Sequence, residues 1–466
     1  MKIGSLLLAP ALLALSACAI APAYVKPEVA APTRFEEDGP WREARPAIAD
    51  SHTPWWQAYG DPQLDDLMKR ALAANQTLKG AEAQLRQSQA LAQSAASAWW
   101  PTLGVTGQAS RQRASGLTGA QLYDTRSGAL QASWEPDFWG RVRASTDAAD
   151  ATALASAADL AAARLTVQAS VVNLFAQIRV NDALIDALKR TIEGYEKSLK
   201  IAQSQLRAGV ATPADVALAQ STLSSAQAQL VDVQLARKQS EHALAVLLGQ
   251  APADFQLAAA PLTLNLPVMP PQLPSQLLER RPDIAAAELR VQAANAQIGV
   301  ARAAWFPHLV FNASGGGTAL GLWTSAPQRV WALGAALTGT LFDGGQRAAQ
   351  NAQAEAAFDQ QVASYRQTVL GSFQEVEDNL AALRELATER GLQEQALAAA
   401  RESERVLLKQ YQAGTTTYVS VINAQALSLN AERTLVQLRG REFAASVALT
   451  KALGGGYTSS QASTNN

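Results

Sequence analysis

The chain has 466 residues, with 39 Lys plus Arg against 40 Asp plus Glu and a formal net charge of −1; that balance excludes a nucleic-acid binder working through a basic footprint. One Cys and three His leave no material for a Cys/His zinc cluster or an intrachain disulfide. Charged residues are 17% of the chain, below the roughly 25% of ordinary soluble domains, and Ala, Gln and Ser fill the gap.

Lys2 precedes an apolar run from Ile3 to Leu15, which ends in Leu15-Ser16-Ala17-Cys18. A charged start, a short apolar run and a small-residue ending read as an export signal over 1–17, too short to span a bilayer. The only Cys stands where a lipoprotein signal places its acylated residue. Cys18 is therefore the expected lipid attachment site and mature amino terminus, because several acyl chains anchor stably where one does not. Ala19 behind it fits the pattern of lipoproteins passed on to the outer membrane. An extended N-terminal segment, 18–64, follows. No later stretch approaches the ~18 uninterrupted apolar residues of a spanning helix, so any membrane crossing must use strands in a closed barrel.

An Ala/Gln-rich helix is predicted from about Leu64 to Ala98, stopped by Pro101. Alternation then puts Leu103, Val105, Gly107, Ala109 and Arg111 on one face, with Gly104, Thr106, Gln108 and Ser110 on the other. This predicts a strand near 102–113, a polar turn region, and a return strand near 126–136. Beyond Arg141 the period becomes helical. Val171, Ile178, Ile185, Ile192, Leu199 and Leu206 recur every seven residues, and Leu174, Leu188 and Tyr195 form a neighbouring seam that Asn181 interrupts. A seam sustained that far predicts a coiled-coil helix from about Val142 to Leu206, on the order of 100 Å long. Gly209 and Pro213 end it, and Pro213 starts a returning helix that reaches Leu248.

A Pro-rich linker, 251–274, separates this first unit (65–250) from a second (275–455), and a tail expected to be disordered follows at 456–466. The second unit reads likewise. A helix runs from Pro282 to about Ala304, a strand lies near 307–315, and its partner near 329–342. Gly315-Gly316-Gly317 lacks the Lys-Ser/Thr of a phosphate loop and reads as a flexible strand-end loop. Landmarks repeat at fixed offsets. Gly209 answers Gly414, Ala219-Gln220 answers Ala424-Gln425, and Leu248-Gly249 answers Leu453-Gly454. Trp99-Trp100-Pro101 answers Trp305-Phe306-Pro307, and Asp137 with Arg141 answers Asp343 with Arg347. The chain is a tandem duplication with one β-hairpin per unit, mainly α with a small β part. Four strands cannot close a barrel in lipid; three chains would supply twelve.

Four segments resemble the outer-membrane efflux channel family, the TolC-like proteins, and especially its OprM/NodT-type lipoprotein branch. They are Trp55 to Leu64 (WWQAYGDPQL), Trp134 to Arg143 (WEPDFWGRVR), Leu278 to Ile284 (LERRPDI), and Ala293 to Pro307, with its ANAQIG and ARAAWFP runs. The resemblance covers nearly the whole mature chain. It implies a homotrimer whose outer-membrane β-barrel continues into a periplasmic α-helical barrel. It also implies a periplasmic adaptor (membrane fusion) protein and an inner-membrane pump of the resistance-nodulation-division type as partners, outer-membrane lipid around the strands, and no cofactor. The activity implied is passive export of small molecules, drugs or other solutes, rather than catalysis. A duct for type I protein secretion, or a coiled-coil adaptor lipoprotein without a pore, would use many of the same residues. In the family, the helical tube narrows at its periplasmic end. Matching Tyr411-Gln412-Ala413-Gly414 and Tyr418 puts the family's apolar constriction position on Val419 and its acidic one on Asn423, with Gly209 and Gly414 at the hairpin tips; plain packing between helices is the other role open to Val419 and Asn423. The family often carries Asp at the second position and Arg just before the tip tyrosine; Asn423 and Gln410 stand here instead.

The remaining candidates have plainer readings. Asp283 after Pro282 is an acid at a helix start, favoured by the helix dipole. His308 beside Pro307 is a boundary residue near the membrane interface, while His52 and His242 have no partner His or Cys in sequence. No nucleophile elbow surrounds any Ser. Trp99, Trp100, Trp134, Trp139 and Trp305 cluster where helices meet strands, a pattern shared by plain core and by an interfacial aromatic girdle.

Overall fold

The computed structural model describes residues 21–29, 35–36, 54–116, 119–267, 280–320 and 328–455. The signal 1–17, Cys18, His52, residues 268–274 of the linker and the tail 456–466 lie outside the described residues. So do Leu278 and Glu279 of the family-like segment. The main elements are α1 (Pro62–Ala74), α2 (Gln76–Ala96), β1 (Thr102–Gly116), β2 (Gly119–Trp134), α3 (Arg141–Arg207) and α4 (Pro213–Leu247). After the linker come α5 (Pro282–Ala303), β3 (His308–Leu320), β4 (Gln328–Thr338), α6 (Gln346–Gln412) and α7 (Tyr418–Ala452).

The duplication is visible in the helices. Both α3 and α6 have 67 residues, both α4 and α7 have 35, and each begins 205 residues after its counterpart (141 to 346, 213 to 418). Leu248-Gly249 and Leu453-Gly454 recur for a backbone reason. Gly249 and Gly454 end their helices at φ 66° and 88°, a left-handed conformation that glycine adopts without steric cost. A Cβ on Gly249 would lie 2.5 Å from the Ala74 carbonyl oxygen, and one on Gly454 would lie 2.4 Å from that of Arg280. The same junction is tied by different side chains. Asn75 Nδ2 donates to the Leu247 carbonyl at 2.9 Å, and Arg281 donates to the equivalent Ala452 carbonyl at 3.2 Å.

Asn75 also corrects the single helix predicted over 64–98. It sits in an extended conformation between α1 and α2, and its Oδ1 accepts from Leu78 N at 3.0 Å. Asparagine competes for backbone donors and so caps a new helix rather than continuing the old one.

The chain divides into two compact units. One comprises 1–28, 83–158 and 285–367, and contains the sheet. It is a single antiparallel sheet in the order β1-β2-β3-β4, with β1 and β4 as its edges. The other comprises 29–82, 159–284 and 368–466. Its main core joins Leu64, Met68 and Ala71 of α1 to Val171, Phe175 and Ile178 of α3, Leu244 of α4, and Phe443 and Val447 of α7. Val171, Ile178 and Leu199 of the predicted seam are buried, and Ile185, Ile192 and Leu206 are half-buried.

Three strand expectations change. The polar turn region predicted after residue 113 is ladder: pairing between β1 and β2 runs without interruption from Thr102↔Ser133 to Gly116↔Gly119. Backbone pairing asks nothing of side-chain polarity, so polarity alone misplaced the turn. The Gly315-Gly316-Gly317 run lies inside β3 rather than at its end. A Cβ on Gly316 would stand 2.2 Å from the Gly128 carbonyl oxygen, so the middle glycine lets two backbones approach closely. Finally, β4 stops at Thr338, opposite His308, rather than at 342. Pro307 precedes His308 and has no N–H with which to continue the ladder.

Candidate functional site

The sheet has two chemically distinct faces, because residues directly opposite in an antiparallel ladder share a side. The register places Leu103 and Val105 with Ala132 and Leu130, then with Ala313 and Gly315, then with Leu333 and Trp331. Leu309 and Leu337, and Trp134 and Phe311, join that side. Leu103, Val105, Leu130, Trp331, Leu333 and Leu337 are all exposed in the single chain. The opposite face carries Thr106, Gln108, Ser110, Thr125, Ser127, Gln131, Asn312 and Ser314. One side is an apolar wall and the other a small-polar one, the alternation of a membrane barrel with lipid outside and water inside.

Aromatic residues collect at the helix-side end of this sheet. Trp134 stacks on Phe311 with ring centroids 6.2 Å apart, and its Nε1 donates to the Trp99 carbonyl at 3.0 Å. Trp139 stacks on Phe306 at 4.9 Å and donates to the Pro307 carbonyl at 2.8 Å, while the Arg347 guanidinium lies 4.8 Å from the Trp305 ring centroid. Charges at this end are paired. Glu135 accepts two bonds from Arg141, at 3.1 and 2.8 Å, and stands 3.2 Å from Nδ1 of His308. Burial pushes the Glu135 carboxyl up, but the donors on Arg141 and His308 outweigh it and hold it below the usual carboxylate range. Asp137 accepts from the amides of Val142 and Arg143, and Asp343 from those of Gly345 and Arg347. The repeated Asp is therefore the acid that caps each long helix.

The two hairpin tips share one turn. Gly209 and Gly414 have φ of 71° and 75°. Val210 N bonds the Gln205 carbonyl at 2.9 Å, as Thr415 N bonds that of Gln410 at 3.0 Å, a glycine-terminated helix end in both copies. Beneath them, Tyr195 and Leu199 of α3, Ala219 and Leu223 of α4, Tyr411 of α6, and Tyr418, Val421 and Ile422 of α7 form one core. The rings of Tyr411 and Tyr418 lie 5.2 Å apart, and burial pushes the Tyr418 phenol up to about 12.

Val419 and Asn423 are both exposed, one turn apart on α7, and Leu427 and Asn430 continue the same uncharged stripe. The family resemblance singles out the first two and misses the extension, which shows only once the buried side of α7 is known. The two tips differ in their caps. Thr212 N donates to the Asp215 carboxylate at 2.8 Å and Asp215 N to Thr212 Oγ1 at 3.3 Å, a reciprocal capping box. Position 420 is Ser, and Thr417 caps no amide of α7.

One further candidate, Asp283, finds a structural partner. Burial opposes ionisation of Asp283, yet hydrogen bonds of 3.1 and 2.7 Å from Arg281 hold its carboxyl below the ordinary range. The helix-start acid is thus also half of an ion pair. A buried network went unread in the sequence. Asp182 accepts from Arg179 at 3.0 Å, Arg237 at 2.6 Å and Ala260 N at 3.3 Å. Arg179 also bonds the Ala258 carbonyl at 2.9 Å, and Arg237 bonds the Leu257 carbonyl at 2.7 Å. Arg179 beside Ile178 and Asn181 on the seam was the available signal: charge on a buried stripe needs partners.

Among the described residues no helix is long and apolar enough to cross a membrane, and no three His, Cys, Asp or Glu side chains could hold a metal ion. The family model for outer membrane efflux proteins matches residues 67–250 and 273–455. The chain is 34% identical over 471 residues to the pyoverdine export outer membrane protein OpmQ of Pseudomonas aeruginosa, covering 98% of each. It is 30% identical over 459 residues to the toluene efflux pump outer membrane protein TtgC of Pseudomonas putida, covering 95% of this chain and 93% of that one. The solved structure of the outer-membrane channel OprN superposes with a TM-score of 0.87 at 27% identity, over 94% of this chain and 99% of the other.

Proposed function

The chain belongs to the outer membrane efflux protein family, and we propose that it works as the trimeric, passive duct of a tripartite efflux system. Three copies pair β4 of one with β1 of the next into a twelve-stranded barrel, and the helical hairpins continue the conduit into the periplasm. A periplasmic adaptor and an inner-membrane pump of the resistance-nodulation-division type supply the coupling and the energy, and small molecules are the cargo. The observation that carries this reading is the sheet itself: an apolar outer face, a polar inner one, and two long edges whose backbone groups lipid cannot satisfy. The test is purification in detergent followed by mass measurement and planar-bilayer recording. Conducting particles with the mass of three chains are expected. A folded monomer that conducts, or a trimer without conductance, contradicts the reading.

Val419 and Asn423 line the narrowest part of the periplasmic mouth in this proposal. The missing cap at Thr417 supports it, since an N-cap is worth about 1 kcal/mol and only the second hairpin lacks the reciprocal one. Three Asn side chains on the trimer axis can hydrogen-bond at about 0.5–1.5 kcal/mol net per bond, a closure that a docked adaptor can reverse. Asn423→Asp is expected to loosen the closed state and raise cation preference, and Val419→Ala to raise conductance with little change in selectivity. Single-channel recordings in which neither substitution alters conductance or selectivity would remove both residues from the constriction.

Cys18 carries the lipid. In support, Ala21, three residues on, lies against Gly299, where a Cβ would stand 2.6 Å from the Ala21 Cβ. Pro22 O accepts from Asn295 Nδ2 at 2.9 Å. These two contacts fix Ala21 and Pro22, the residues that follow the proposed amino terminus, against the last turns of α5, just before β3. Mass spectrometry of the mature protein should find Cys18 at the amino terminus with several acyl chains. An unmodified thiol there would refute the assignment.

A further inference from the structure

The two ends of the sheet are electrostatically unlike. At the helix side, Glu135, Asp137 and Asp343 are matched by Arg141 and Arg347, with His308 beside them. At the other end, the sequence from Ala109 to Arg126 carries Arg111, Arg113, Asp124 and Arg126, and that from Gly317 to Arg329 carries only Arg329. Four arginines therefore face one acid, and residues 117–118 and 321–327 hold no charge that could offset them.

The register puts these arginines on the apolar, outward side. Arg111 opposes Asp124, Arg126 opposes Ala109 and Ala319, and Arg329 opposes Gly317. Arg111, Arg113 and Arg329 are exposed, and the ion pair of Arg111 with Asp124, at 3.4 Å, leaves the Arg111 side chain two-thirds exposed. Arg111 follows Leu103 by eight residues, and Arg329 precedes Leu337 by eight. Both thus lie about 27 Å along a strand from the helix-side apolar residues at about 3.4 Å per residue. With strands tilted about 40°, that is roughly 20 Å of height, close to the apolar band of an outer-membrane barrel. The arginines sit at headgroup level, where the hydrocarbon stops.

We propose that Arg111, Arg113 and Arg329 form a rim that binds the phosphate groups of anionic lipid in the outer leaflet. Guanidinium groups suit this partner, because their planar forks take phosphate oxygens two at a time. Ring closure strengthens the case. Arg329 lies on edge strand β4 and Arg111 and Arg113 on edge strand β1, so joining β4 to the next subunit's β1 brings like charges together. Bridging anions relieve that repulsion, and lipid phosphates are the anions present at that depth. The inference rests on the trimeric duct proposed above.

The test uses the full-length protein in neutral detergent. The probe is fluorescently labelled lipid A bearing two phosphates, read by anisotropy at low and high salt. The comparisons are the combined Arg111→Gln, Arg113→Gln, Arg329→Gln variant and phosphatase-treated lipid A. Wild-type binding is expected to weaken at least tenfold in the variant, to weaken with salt, and to fall to the variant's level for the dephosphorylated lipid. Binding within twofold across the two proteins, or across the two lipids, overturns the proposal, as does flat behaviour expected of a rim that meets a soluble acidic protein instead. Particle mass and conductance are measured on both samples. Loss of conductance with phosphate-dependent binding intact counts against the duct and not the rim. A variant that fails to trimerise leaves the salt and dephosphorylation arms on wild type to decide.

Discussion

Replacing Asp182 by alanine is expected to cost about 3–5 kcal/mol, the range found when one partner of a buried ion pair is removed. The Asp182 side chain is 5% exposed and that of Arg179 is 1% exposed, so neither can be rehydrated without unpacking α3. Removal leaves two guanidinium groups sharing Glu241, the Gln63 side chain and a few carbonyls. Much of the cost is that uncompensated charge rather than the worth of the lost pair. The local signature is distinctive. Asp182 and its two arginines hold the backbone of Leu257, Ala258 and Ala260, so the substitution should open the segment after α4 before the rest of the chain. A lower thermal midpoint with early proteolysis within 251–267 is the expected result; unchanged values for both would remove the network from the stability account. The second repeat should not respond likewise. Its residues at the offsets of Asp182, Arg237 and Glu241 are Ala387, Glu442 and Ser446, and Ser446 instead meets the Tyr59 hydroxyl at 3.1 Å.

The second large effect is expected at the glycines that end α4 and α7. Gly454→Ala combines a left-handed backbone, costing of order 1–3 kcal/mol for a residue with a Cβ, with a contact of 2.4 Å to the Arg280 carbonyl. Gly249→Ala does the same against Ala74 at 2.5 Å. Backbone atoms cannot rotate aside as a side chain can, so the total should reach about 3 kcal/mol or more, within the upper range of point substitutions. Gly209→Ala supplies the control. Its φ is similar, at 71°, but a Cβ there meets nothing within 4 Å, so only the conformational cost of about 1–2 kcal/mol remains. Thermal midpoints should fall much further for the Gly249 and Gly454 variants than for Gly209→Ala. Equal losses at all three positions would mean that the close approach contributes nothing.

Much of this architecture was legible because it is written twice. The constant spacing between Gly209 and Gly414, and between Leu248-Gly249 and Leu453-Gly454, located both helical hairpins and their turns. The change to a helical period after Arg141, with the seven-residue seam from Val171 to Leu206, set the bounds of α3 to within a residue or two. Errors arose where a backbone contact made far away in sequence decided the local structure. Asn75 breaks a helix pattern because Leu247 offers it a carbonyl. The Gly315–Gly317 run is strand rather than loop because it pairs with β2, which passes too close to Gly316 for a Cβ. The alternation of β1 gave its two faces, but where its ladder ended depended on β2. At the proposed constriction, the spacing of Val419 and Asn423 fixed their common face, whereas the exposed course through Leu427 and Asn430 required the packing of α7.

The unpaired edges of β1 and β4 carry a genetic consequence. If every barrel is completed only by a third chain, stability in the membrane cannot be separated from protomer concentration, and a defective copy damages its neighbours as well as itself. Suppose a cell makes equal amounts of normal chain and of one whose β4 edge cannot pair but which still enters the trimer through its β1. Random assembly in threes leaves about one complex in eight free of the altered chain. The altered allele would therefore be dominant, with export capacity falling far below half.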